Sequence, residues 1–156
     1  MPEVLAAIRP DSWNYALFLH VLGASVLIGA LVTAGSMQIL GWTRGAGSAM
    51  FARLSFRTLL IAAIPAWFGM RIGAEWIHSK EFPSGTEDPS WIGIGYGTAE
   101  PGGLLLIISV VLAGIGARRL AQGRGADWLT RSATVLTVIV LAAYLVALWA
   151  MTAKPS

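Results

Sequence analysis

Three residues that can bind or titrate sit inside apolar runs where such side chains are scarce: His20, Arg71 and Tyr144. Glu75 follows Arg71 one helical turn later, Ser109 is a neutral polar companion, and His78 ends the run that holds Arg71. Imidazole ligates copper and haem iron, a guanidinium pairs with carboxylates, and a phenol donates one hydrogen bond. The chemistry on offer is therefore ligation of b-type haem or copper at His20. His78 is the second imidazole and Met70 a thioether alternative. Arg71 would serve as partner to an anion or a haem propionate, and Tyr144 would complete the cofactor-binding set. Plain structural roles stand beside each of these. Arg71 and Glu75 can neutralise one another as an i,i+4 pair, or Arg71 can snorkel outward. Tyr144 and His20 can be core residues bonded to each other or to a backbone carbonyl. No carboxylate is placed to orient the His20 ring for a serine nucleophile, so a stand-alone hydrolytic enzyme is not expected. The absence of cysteine removes thiolate sites and disulfides.

The elements that must position these groups follow from composition. Of 156 residues, 56% are hydrophobic and 12% charged, with a mean hydropathy of +0.68. Soluble domains carry about 25% charged residues, so an ordinary soluble enzyme, a disordered chain and a basic nucleic-acid module are all excluded; the net charge is only +3. The chain reads as one all-α integral-membrane domain. About 20 apolar residues cross a bilayer core, and four spans are expected, over about 13–42, 55–77, 101–117 and 128–151. Asp11 and Ser12 would cap the first, and Pro65 should kink the second one turn before it. Pro101 suits the first turn of the third. The first span should persist rather than act as a signal peptide, because no basic region closely precedes it and its apolar run is too long.

Seven of the 11 Lys and Arg residues (Arg44, Arg53, Arg57, Arg118, Arg119, Arg124 and Arg131) flank the first and third turns. By the positive-inside rule both termini lie outside (N-out/C-out) and the chain is a multi-pass protein of the plasma (inner) membrane. Residues 78–100 then form an external loop, broken by Pro83, Pro89 and three alternating glycines. Its Gly95-Tyr96-Gly97 resembles a potassium-channel filter, but the preceding segment, with two prolines and several acids, does not supply a pore helix. Packing seams are expected at the small-residue repeats Ser25/Gly29/Thr33, Gly69/Gly73 and Ala143/Ala147, giving a four-helix bundle.

Depth can be counted at 1.5 Å per residue. His20 lies seven residues inside Trp13, Arg71 seven before His78 and Tyr144 seven before Met151. Three helices thus bring polar groups to one level, roughly 10 Å below one boundary, with Ser109 expected beside them. The neighbours of His20 on its own helix face are Ala16, Gly23 and Ala24. With Gly73, these small residues could open a slot for a flat macrocycle.

Leu19-His20, the apolar run after it and Gly29 resemble the first helix of small bacterial membrane proteins related to the copper-resistance protein D family. In those a tryptophan follows the histidine by seven residues; Leu27 stands there in this chain. The resemblance covers the first helix and the four-span plan, and implies copper or haem handling at His20. Three functions follow as expectations. One is a redox, electron-transfer or metal-binding protein using His20. Another is a non-catalytic subunit or assembly factor, with partner subunits or self-association in the bilayer. The third is a transporter.

Overall fold

The computed structural model describes residues 11–43, 48–81 and 90–153. They form four helices: Asp11–Thr43, Ser48–Glu81, Ser90–Ala121 and Asp127–Ala153. Each is long and apolar enough to cross a membrane. Each turns a lipid-like belt outward: Phe18, Ile61, Leu104 and Val146, for example, are all exposed. In hydrocarbon only a helix satisfies its backbone from within, so uninterrupted apolar sequence becomes uninterrupted helix.

The helices pack in cyclic order, first on second, second on third, third on fourth and fourth on first. Leu27, Leu31, Leu59, Leu106 and Val140 meet at the centre, fully buried. Ser109 joins them differently from expectation. Its hydroxyl donates to the Ala133 carbonyl at 3.1 Å and lies 2.7 Å from Thr137 Oγ1. It sits ten residues from Ala99, about 15 Å along the helix, and not at the level of His20.

The second helix is one span with an irregularity in it. A π turn over Leu59–Ala63 lets the Ile64 N–H reach back to the Leu59 carbonyl, just ahead of Pro65. The wide turn is where the expected disturbance before the proline is taken up. Before it, the helix packs on both the first and third helices; beyond it, the helix leans on the first and scarcely meets the backbone of the third.

The third helix corrects two boundaries. It starts at Ser90 rather than Pro101, so most of the supposed external loop is helical, as are residues 78–81. Residues 82–89, with Pro83 and Pro89, lie outside the described residues, as do Arg9, Arg44 and Lys154; so do the capping side chains of Asp11 and Ser12. Pro101 stands in mid-helix, where it withholds the N–H that the Gly97 carbonyl would otherwise accept. Gly95, Tyr96 and Gly97 are turns of this helix, not an extended filter. The helix ends in a Schellman turn, with Arg124 N–H on the Arg119 carbonyl (2.9 Å) and Gly123 N–H on the Leu120 carbonyl (3.0 Å). Gly123 takes the φ of +70° that this stop requires.

Candidate functional site

The first and second helices cross with backbone against backbone. A Cβ added at Gly73 would stand 2.8 Å from His20 Cα and 2.9 Å from the Ala16 carbonyl oxygen. One added at Gly23 would stand 2.8 Å from both Met70 Cα and the Ala66 carbonyl oxygen. The slot expected for a macrocycle at Gly23, Ala24 and Gly73 is therefore filled by the neighbouring helix. Gly69 makes only an ordinary contact with Leu19, at 3.6 Å. The Ser25/Gly29/Thr33 seam is likewise corrected: all three are exposed, and the two hydroxyls bond carbonyls of their own helix. The buried stripe of the first helix runs instead through Ala16, Gly23, Leu27, Ala30 and Ala34.

This close crossing sets the His20 ring. Nδ1 lies 2.9 Å from the Met70 carbonyl oxygen. A carbonyl only accepts, so Nδ1 carries a proton, and in the neutral ring Nε2 then keeps its lone pair. Nε2 has no hydrogen-bond partner among the described residues and is not among the sealed polar atoms. Met70 and His78 lie on the same helix, eight residues apart. That second histidine stands edge-on to Tyr96, with ring centroids 5.7 Å apart. Among the described residues no three His, Asp or Glu side chains cluster as a metal-binding group.

Arg71 lies at the centre of an ion-pair network. Nη1 is 2.6 Å from Glu75 Oε1 and Nη2 is 3.0 Å from Glu100 Oε1 on the third helix. The guanidinium also stacks 4.6 Å from the Tyr96 ring centroid, a cation–π geometry. The i,i+4 pair with Glu75 is as the spacing predicts; the bond to Glu100 is not, because residue 100 falls in the supposed loop. Arg71 therefore has carboxylate partners of its own where a propionate partner was expected.

Tyr144 and Trp67 converge on one atom. The Tyr144 hydroxyl donates to the Ala99 carbonyl at 3.2 Å, and Trp67 Nε1–H donates to the same carbonyl at 3.1 Å. The next residues make room for them: a Cβ on Gly102 would lie 2.9 Å from the Tyr144 oxygen, and one on Gly103 would collide with the Trp67 ring. Both donors thus reach the turn before Pro101 from neighbouring helices, at a carbonyl two residues on from the Gly97 carbonyl that the proline leaves without its N–H. His20, Arg71 and Tyr144 do share one layer, joined through Met70, Ala99 and Glu100. Sequence reasoning missed Trp67, Ala99 and Glu100; the Gly102-Gly103 pair beside a proline was the available signal.

No protein-family model, curated protein or solved structure matches this chain.

Proposed function

We propose that the protein is a multi-pass component of the plasma (inner) membrane, with both termini outside, in which His20 Nε2 is the imidazole ligand of a copper ion in metal or redox handling. The hydrogen bond from Nδ1–H to the Met70 carbonyl carries this reading. It fixes the tautomer and ring orientation and leaves Nε2 as a basic donor, the arrangement that ligating histidines use. The filled crossing at Gly23 and Gly73 favours a compact ion over b-type haem, whose macrocycle does not fit between the first and second helices. A bound copper ion would supply one-electron chemistry. This chain contributes one oriented nitrogen, and the remaining donors come from a partner subunit or a small ligand. The basic groups near Arg53, Arg57, Arg118 and Arg119 support placing that end of the bundle inside.

The test is metal analysis with a reduced-minus-oxidised absorbance spectrum on detergent-purified protein and its His20→Gln variant. Glutamine can still donate to the Met70 carbonyl, so the variant removes the ligand and keeps the fold. Copper retained by the parent and lost in the variant supports the reading. A Soret band lost in the variant would transfer it to haem. Protein that takes up no copper when loaded refutes ligation. The second reading, a non-catalytic subunit or assembly factor, then stands; in its favour, Arg71, Trp67 and Tyr144 are all partnered within the chain.

A further inference from the structure

At the basic end of the bundle, far from His20, the four helices surround a cavity of about 290 Å³. The buried polar side chains among the described residues are Gln38, Ser55, Ser109, Thr134 and Thr137. The three that lie away from the cavity are all hydrogen-bonded. The two that line it are not: Gln38 is 6% exposed, Ser55 is 0% exposed, and Gln38 Nε2, Gln38 Oε1 and Ser55 Oγ all lack partners. Buried polar atoms are almost always satisfied in native proteins. An amide and a hydroxyl orphaned on one cavity floor therefore mark a place where something else supplies the partners.

The mouth adds charge. Asp127 and Arg131 line it one turn apart on the fourth helix, both exposed, and neither has an ion-pair partner among the described residues. Residues at i and i+4 lie on the same helix face, so an acid and a base stand side by side above a neutral floor. A simple anion suits Arg131 but is repelled by Asp127, and a simple cation meets the reverse. A molecule carrying both charges close together satisfies both. The volume is at the lower end of small-molecule sites, which run from roughly 300 to 1,000 Å³, and excludes nucleotides and macrocycles.

We infer that this cavity binds a small amino-acid-like zwitterion. Its carboxylate meets Arg131, its ammonium meets Asp127, and an amide- or hydroxyl-bearing side chain reaches Gln38 and Ser55. Trp42 forms part of the wall. This site is independent of His20.

The experiment is equilibrium dialysis of the protein in nanodiscs against radiolabelled L-glutamine and L-serine. Acetate, ethylamine and L-valine are the competitors. Saturable binding at one per chain is expected, weakened at least tenfold by Gln38→Leu and by Arg131→Gln, and unchanged by His20→Gln. Ser55→Ala, a smaller change, should weaken it too and decides the matter if Gln38→Leu fails to fold. No saturable binding of either amino acid means the cavity holds only water and overturns the inference. Equal binding in Arg131→Gln and Ser55→Ala overturns it as well, as does competition by acetate or ethylamine alone.

Discussion

Replacing Gly73 by alanine tests the helix crossing on which the orientation of His20 depends. The new Cβ would stand 2.8 Å from His20 Cα, whereas carbon atoms in contact settle at about 3.5–4.0 Å. The obstructing atoms are backbone, so no rotamer change relieves the clash, and the helices must part by about 1 Å. That shift would stretch the 2.9 Å bond between His20 Nδ1 and the Met70 carbonyl to about 3.9 Å, beyond hydrogen-bond range. Overpacking costs about 1–3 kcal/mol and the lost bond about 1 kcal/mol. Gly73→Ala should therefore destabilise by about 2–4 kcal/mol. Gly29→Ala is the control, because nothing lies within 4 Å of a Cβ there, and its effect should stay within about 0.5 kcal/mol. Gly23→Ala meets the same crossing from the other side, so the Gly23→Ala, Gly73→Ala double variant should cost less than the sum. Unfolding by SDS titration in mixed bicelles, followed by tryptophan fluorescence, reads all four variants against the parent. If Gly73→Ala proves as mild as Gly29→Ala, the two backbones are not in contact and the reasoning fails.

Two further outcomes follow from the polar layer. Arg71→Ala leaves Glu75 and Glu100 facing each other without a cation, and should cost roughly 1–2 kcal/mol from two largely exposed ion pairs and one cation–π contact. Restoring neutrality with Glu75→Gln and Glu100→Gln on the Arg71→Ala background should recover part of that loss, and equal stability of the single and triple variants would reject the network. Tyr144→Phe removes one of two donors to the Ala99 carbonyl and should cost about 0.6–1 kcal/mol. Combined with Trp67→Phe the loss should exceed the sum, measured in the same unfolding assay, because only then does the carbonyl lose both outside donors.

Four apolar spans were legible because hydropathy reports the solvent directly, and the Arg71–Glu75 pair was legible because helix spacing alone decides it. The stretch from Ser90 to Pro101 was not. Alternating glycines and a proline mean a broken chain in water, where exposed backbone is solvated. Next to lipid, the need to satisfy every N–H and C=O overrides that preference. With the start of the third helix displaced, Ser109 was placed at the wrong depth and Glu100 was overlooked. The seam of the first helix was misassigned for a different reason. Small residues recur on two of its faces, and only the partner's glycines, Gly73 above all, show which face is buried. Gln38 drew no attention because one amide in an apolar run resembles a surface residue until its burial is known.

The π turn before Pro65 gives the bundle an uneven mechanical order. On one side of it the second helix is wedged between two neighbours by apolar surface. On the other, its ties to the third helix include the Arg71–Glu100 ion pair, the Trp67–Ala99 hydrogen bond, and the stack of Arg71 and His78 on Tyr96. The ion pair and the ring stacks can be exchanged for lipid headgroups or water, whereas Trp67 keeps its ring against the Gly103 backbone. This edge, held largely by polar side chains, is therefore expected to open more readily than the opposite end. Because the segment of the second helix beyond the π turn is locked to the first at Gly23 and Gly73, the two would swing as a single arm and carry His20 with them.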